Sequence, residues 1–126
     1  MSNHPSNKVI SVQQPLQHDF WGQHCESNTL LDEASLCIKQ ERMPPGTAEQ
    51  LHYHQQAQQF FFILNGLAKF EIEGESYLVS AKEGIQIRPG QVHRIVNAGE
   101  SSLEFILASQ PSVKHDRHLK DADTNP

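Results

Sequence analysis

Three histidines and one glutamine form the set of side chains in this sequence best suited to binding a metal ion. His52 and His54 are one residue apart, so on a β-strand both side chains point to the same face. Gln59 offers an amide oxygen at the start of the next apolar segment, and His93 follows much later in the chain. A metal ion needs three or more ligands that converge from one side. The four side chains therefore predict a metal site if the fold makes their strands neighbours.

Short apolar segments punctuated by glycine and proline predict short, closely spaced strands. A strand from Leu36 to about Met43 is predicted to end at residues 44–46, Pro-Pro-Gly, because proline cannot donate to a strand ladder and glycine permits a tight turn. The segment from Gln59 to Leu64 is followed by Asn-Gly at residues 65–66, which predicts a two-residue hairpin into the next strand. About nine such strands, with little helix signal, predict an all-β jelly-roll fold, a closed or nearly closed sandwich or barrel.

The length of 126 residues predicts a single domain around one core. We expect the core of this cupped domain to run from about residue 30 to 110. Residues 1–29 are then an N-terminal arm, and residues 111–126 are a polar C-terminal tail. The tail carries many charged residues and almost no apolar ones, so it is predicted to be solvated or partly disordered.

Composition excludes some classes of partner. The net charge is −5 and the ten Lys and Arg residues are scattered, whereas binding to nucleic acid needs clustered cations. No apolar run approaches the roughly 20 residues of a membrane helix, and the first residues show no signal pattern. A cytoplasmic location is the default expectation, and the two cysteines, Cys25 and Cys37, fit a reducing compartment.

The strand that begins at Gln59 predicts an interface between subunits. Side chains alternate along a strand, so Gln59 and Phe61 share one face while Phe60 and Phe62 share the other. Both faces are apolar and both must be covered. One face is the interior of the barrel. The other is covered either by a second copy of the chain or by the folded-back arm that carries Trp21, and we expect a homodimer.

Two stretches in the middle of the chain resemble the two motifs of the cupin superfamily. Residues 46–66 follow G-x5-H-x-H-x4-Q-x6-G, which matches the first cupin motif except that the family has Glu where this chain has Gln59. Residues 88–97 resemble the second motif, although Arg88 stands where the family has proline and Lys82 where it has glycine. The resemblance implies a small, often dimeric jelly-roll barrel that binds a divalent metal through His52, His54, His93 and the residue at 59.

The glutamine at position 59 affects the expected metal. An amide oxygen is neutral, so three histidines and a glutamine leave the ion its full formal charge and weaken binding of hard cations. Imidazole-rich sets suit Fe, Ni, Cu or Zn, and Mn also stays in the expected list. The alternative is a metal-free cupin in which the histidines hydrogen-bond to one another, to water and to Gln59.

The predicted pocket beside the metal accepts a small organic ligand that carries a chelating or carboxylate group. Strand parity predicts that Gln50, Phe61, Phe70, Ile95 and Arg42 line it. No paired carboxylates are expected at pocket positions, so catalytic residues are not assigned. Two functions stay open: a metal-dependent enzyme of oxygenase or isomerase type, and a non-catalytic binding or regulatory module with or without metal.

Overall fold

The computed structural model describes residues 6–120, which fold into two antiparallel sheets without a helix. The first sheet has six strands in the order β1-β2-β3-β10-β5-β8, and the second has five in the order β11-β4-β9-β6-β7. The strands are β1 Gln17–Trp21, β2 Cys25–Glu33, β3 Leu36–Met43, β4 His52–Tyr53, β5 Gln58–Asn65, β6 Leu67–Ile72, β7 Glu75–Ser80, β8 Gly84–Ile87, β9 His93–Asn97, β10 Leu103–Gln110 and β11 His118–Leu119.

The core lies between the two sheets. Phe61 of β5 packs against Phe70 of β6, with ring centroids 4.9 Å apart, and against Phe105 of β10. Phe61 and Phe105 belong to the six-stranded sheet and Phe70 to the five-stranded sheet, and all three rings are almost fully buried. Aromatic pairs at this distance stabilise a core beyond the area that they bury. The predicted all-β jelly-roll fold is confirmed.

The turn at Gly66 differs from the hairpin that Asn-Gly predicts. β5 pairs with β10 and β8, whereas β6 belongs to the other sheet and pairs with β7 and β9. Gly66 has φ of 91°, and a Cβ there would lie 2.9 Å from the carbonyl oxygen of Ser102. The glycine is therefore needed because the chain crosses between sheets against another backbone, not because it closes a hairpin.

The predicted alternation along β5 is present in the structure. Gln59, Phe61 and Ile63 are buried, whereas Phe60 and Phe62 are 47% and 37% exposed on the outer face. Trp21 lies on β1, at the edge of the sheet, separated from β5 by three strands. The described part of the arm, residues 6–29, consequently does not cover this outer face.

The ordered fold is wider than the predicted range of 30–110. β1 and β2 pair before residue 30, so part of the expected arm belongs to the six-stranded sheet. At the other end, residues 112–120 form β11 beside β4 and hydrogen-bond to residues 34, 51 and 54–57, so this part of the expected solvated tail is a strap against the fold. The prediction of a solvated tail failed because the residues that pair with this charged segment lie far away in the sequence. The remaining parts of the expected arm and tail, at residues 1–5 and 121–126, lie outside the described residues.

Within residues 6–120, no helix is long and apolar enough to cross a membrane.

Candidate metal centre

The three histidines converge at the end of the second sheet. β4 and β9 are antiparallel neighbours, and His52 pairs directly with His93. His54 follows β4 and lies with its ring centroid 5.1 Å from that of His52. One ring nitrogen from each of the three residues lies within 4.8 Å of the others, and all three residues are buried. The structure therefore brings together the three imidazoles that are far apart in sequence.

Backbone carbonyl groups fix the orientation of all three rings. Nδ1 lies 2.8 Å from the Gln50 carbonyl oxygen in His52, 2.7 Å from that of Asp116 in His54, and 2.8 Å from that of Gln91 in His93. A carbonyl oxygen only accepts, so each Nδ1 carries the proton and donates. Each Nε2 is consequently left with a free lone pair, which is the form of histidine that binds a metal.

Burial keeps these histidines neutral. It lowers the pKa of His52 to about 3 and that of His93 to about 4, and the mutual repulsion of the rings and the charge of Arg117 add to the effect. The pKa of His54 is also lowered, chiefly by burial. Neutral imidazoles need no deprotonation before they bind a cation, so the cluster is prepared for a metal near neutral pH.

Gln59 presents its amide oxygen without a partner. Its Nε2 donates to the Ser109 hydroxyl oxygen at 3.0 Å, while its Oε1 is buried and accepts no hydrogen bond from the described residues. The Gln59 side chain also lies against His54 and raises the pKa of that ring. Ser109 of β10 therefore orients the amide next to the histidine cluster.

The unpartnered atoms fit a metal ion. Nε2 of His54, Nε2 of His93 and Oε1 of Gln59 are all buried acceptors with no donor among the described residues. A buried acceptor without a partner costs free energy, and three acceptors placed together also repel one another. A divalent cation relieves both effects, and a donor set of imidazole nitrogens with one amide oxygen suits Zn, Fe, Ni or Cu.

The strap at residues 112–120 supports the cluster, and sequence reasoning missed it. The Asp116 carboxylate accepts hydrogen bonds from the backbone N–H groups of residues 55, 56 and 57, and its own carbonyl holds His54. His118 stacks on Tyr53 with ring centroids 5.1 Å apart. A sequence signal for these contacts is lacking, because 59 to 62 residues separate the partners.

A cavity of about 600 Å³ adjoins residues that support the cluster. Gln50 and Arg117 connect the two: Gln50 lines the cavity and holds His52 through its carbonyl, while Arg117 lines the cavity and follows Asp116 directly. The charge of Arg117 lowers the pKa of all three histidines. The cavity is lined by Asp19, Trp21, Gly22, Ser27, Lys39, Glu41, Ala48, Glu49, Gln50 and Arg117.

Of the predicted pocket residues, only Gln50 lines this cavity. Phe61, Phe70 and Ile95 are at most 1% exposed and form the core. Arg42 is exposed on the outer face of β3 and pairs with Glu26 at 3.5 Å. The prediction placed Arg42 inward, but β3 has the opposite parity: Cys37, Glu41 and Met43 are buried on the inner face, and Arg42 between the last two is exposed.

Two carboxyl groups face the cavity, contrary to the expectation from sequence. Glu41 is only 8% exposed, and burial raises its pKa. Burial and repulsion from Glu41 raise the pKa of Glu49 to about 8, although Arg117 opposes the shift. The Glu49 carboxyl accepts a hydrogen bond from the backbone N–H of Ile95 at 3.2 Å. Glu49 is consequently a neutral acid near pH 7, partly accessible because it borders the cavity.

The comparison with known families agrees with the sheet order and the histidine cluster. Residues 39–109 match the family model of the cupin domain, which is more than half of the chain. The chain belongs to the cupin family. The match includes all four predicted metal ligands but neither β1 nor the strap, so Asp116 and Arg117 are features of this cupin outside the matched region.

The curated proteins that this chain resembles carry names that indicate different functions. This cupin is 28% identical over 78 residues to "Polyketide synthase CurC" from Streptomyces cyaneus, covering 58% of this chain and 51% of that one. It is 26% identical over 83 residues to an "Oxalate-binding protein" from Thermotoga maritima, covering 66% and 69%. The alignment thus spans about half the length of the first relative.

Solved structures share the fold at low identity. KdgF from Halomonas sp. superposes with a TM-score of 0.78 at 14% identity, covering 87% of this chain and 98% of that one. A predicted oxalate decarboxylase from Thermotoga maritima superposes with a TM-score of 0.73 at 21% identity, covering 83% and 100%. At these identities the likeness establishes the architecture alone.

Proposed function

We propose that this cupin binds one divalent metal ion through His52, His54, His93 and Gln59, and that it accepts a small organic ligand beside the ion. The observation that carries the proposal is the set of buried acceptors without partners, Nε2 of His54 and His93 and Oε1 of Gln59. In each of these side chains the other polar atom, a nitrogen, forms a hydrogen bond that fixes the orientation of the side chain. Such an arrangement is what a preorganised metal site requires.

A bound ion supplies Lewis acidity and open coordination positions at this end of the barrel. The chain itself supplies neutral ligands, a water-poor setting and a carboxyl group in the adjacent cavity that can give or take a proton near neutral pH. This combination supports oxygenase- or isomerase-like chemistry on a small chelating substrate. The candidate metals are Fe, Ni, Zn, Cu and Mn, and titration with each of them identifies the one that binds.

The second candidate is a binding or regulatory module without turnover. Gln59 favours it, because the ligand set contains no carboxylate that could act as a base at the metal. The relative named as an oxalate-binding protein supports a small organic acid as the bound molecule. In both candidates the same histidines and the same cavity are used.

Metal content tests the proposal most directly. Protein purified without added metal is measured by elemental analysis, stripped with a chelator, and titrated with Zn, Ni, Fe, Cu and Mn salts. We expect close to one equivalent of one of these metals, with a strong loss in His93→Ala. His24→Asn is the matched control, because His24 is exposed and asparagine tolerates its φ of 67°. No metal uptake by the wild-type protein would refute the metal site.

Turnover separates the two candidate functions. Metal-loaded and metal-free proteins are incubated aerobically with small dicarbonyl and carboxylic acid compounds, and the mixtures are followed by proton NMR and oxygen consumption. Metal-dependent product formation establishes the enzyme. Binding of the compounds without any product supports the binding module.

We propose a homodimer formed by the outer face of β5, where Phe60, Phe62 and Leu64 are exposed side by side. Three adjacent exposed apolar side chains are more typical of an interface than of a solvated face.

We also propose a cytoplasmic location, which is supported by the two free cysteines, Cys25 and Cys37.

A further inference from the structure

Arg117, an exposed residue of the strap, lines the cavity. Within residues 6–120 no carboxylate lies within 4 Å of it, although Glu41 and Glu49 are close enough for its charge to lower their pKa values. Arg117 is carried by the strap, whose position is fixed by the hydrogen bonds of Asp116 next to it. A guanidinium that borders a cavity and forms no ion pair with the described residues is suited to binding an anion.

Glu49, which also lines the cavity, offers a second hydrogen-bond donor. Glu49 comes from the segment before β4, and its backbone N–H donates to the Ile95 carbonyl oxygen at 3.0 Å while its carboxyl accepts from the Ile95 N–H. The side chain is thus fixed against β9 and borders the cavity. With one carboxyl oxygen accepting from the backbone, the other can carry a proton and donate it to a ligand.

We propose that the cavity is a binding site for a small organic carboxylate, held by the Arg117 guanidinium and by a hydrogen bond from the Glu49 side chain. This inference deepens the proposed function by naming the ligand class of the same site. The volume of about 600 Å³ is in the range of small-molecule pockets. The indole of Trp21 forms part of the wall, so an occupant lies against the single tryptophan of the chain.

Binding that uses a proton on Glu49 depends on pH. The titratable and charged groups around it are Glu41, Arg117, Asp19, Lys39 and the Cys25 thiol. Burial raises the pKa of Cys25 above its usual 9.0, so this thiol stays neutral near pH 8. Above a pH of about 8 the Glu49 carboxyl loses its proton, and a carboxylate there repels a bound carboxylate. Ligand affinity is therefore expected to fall as the pH rises through about 8.

The test uses the full chain stripped of metal, so that chelation plays no part. Benzoate and malonate are titrated while the Trp21 fluorescence is followed, with benzamide and malonamide as neutral counterparts of the same shape. We expect the carboxylates to bind at millimolar or lower concentration, and the amides about tenfold more weakly because an ion pair is lost. Equal affinity for acids and amides, or no binding of either acid, would overturn the proposal.

Three variants assign the contacts. Arg117→Gln is expected to weaken carboxylate binding about 10- to 100-fold, while Arg94→Gln, a surface arginine paired with Glu71, leaves it unchanged. Glu49→Gln keeps a donor but cannot ionise, so it retains binding at pH 7 and loses the decline near pH 8. Unchanged binding in Arg117→Gln, or the same pH dependence in Glu49→Gln, contradicts the assignment. Because no metal is present, failure here leaves the metal site intact, and failure of metal uptake leaves this result intact.

Discussion

The backbone carbonyl of Asp116 accepts a hydrogen bond from Nδ1 of His54 at 2.7 Å, while the carboxylate of the same residue binds three backbone N–H groups at residues 55, 56 and 57. One residue of the C-terminal strap thus fixes both a candidate ligand and the turn that follows it. Burial alone would raise the pKa of the Asp116 carboxyl, but these three hydrogen bonds and one from His118 together lower it. The strap and the metal centre are therefore expected to depend on each other.

Replacing Asp116 by Ala should weaken metal binding and loosen the strap. The three backbone donors lose a charged acceptor, which costs about 1 to 3 kcal/mol of unfolding free energy. Metal affinity should fall about tenfold, as is usual when a group that orients a ligand is removed. Chelator competition measures the affinity, and urea unfolding measures the stability. Asp32→Ala, at an exposed position on β2, is the control, and equal affinity in both variants would show that Asp116 does not orient His54.

Replacing Gln59 by Glu should tighten binding of Mn. A carboxylate adds a negative charge to a hard oxygen ligand, and the Ser109 hydroxyl can donate to it where it now accepts from the amide. Isothermal titration of the stripped protein with Mn measures the change. Gln58→Glu provides a control on the neighbouring residue, which hydrogen-bonds to Gln110 and Gln86 instead. Equal or weaker affinity of Gln59→Glu for Mn would argue that Gln59 is not a ligand.

The metal-free protein should lose stability as the pH falls below about 6.5. The folded-state pKa values of His52 and His93 lie near 3 and 4, below their ordinary value of 6.5. Between these values the histidines are protonated in the unfolded chain but neutral in the folded chain. The unfolding free energy therefore falls as the pH decreases. For His93 alone the loss by pH 4 is on the order of 3 kcal/mol.

His93→Gln isolates this contribution. The variant carries no titratable proton at position 93, so the stability difference from wild type should narrow by roughly 2 to 3 kcal/mol between pH 7 and pH 4. Urea unfolding in the presence of a chelator measures both proteins at each pH. A difference that stays constant over this range would mean that His93 does not have a lowered pKa.

Replacing Phe62 by Lys should dissociate the proposed dimer. Phe62 is 37% exposed in the middle of the apolar face of β5, and a charge there would have to be buried at an interface without a partner. Light scattering should give twice the chain mass of 14.2 kDa for wild type and the chain mass for the variant. Leu78→Lys, on the exposed strand β7 of the other sheet, should stay dimeric. A wild-type mass of one chain at micromolar concentration would remove the proposal.

The parts of the structure that follow local patterns were predictable. Alternation along β5 placed Gln59 on the buried face and Phe60 on the exposed face, because side chains of a strand must alternate. The spacing of His52 and His54 on one side of a strand follows from the same rule. Parity failed on β3, where Arg42 was expected inside, because Leu36 and Ile38 are apolar but belong to the outer face. Apolar side chains on both faces of a strand leave the direction undetermined.

The sequence by itself determined the fold class and the candidate ligands His52, His54, Gln59 and His93, because strand periodicity and ligand chemistry are local properties. Only the tertiary structure decided how these ligands are held and what lies beside them. Asp116 and Arg117 reach the site from a segment that looked solvated, and Glu41 and Glu49 meet at the cavity from separate segments. Such contacts depend on pairing between residues that are distant in sequence. No local pattern encodes them, because their energy comes from burial and charge that exist only once the sheets have closed.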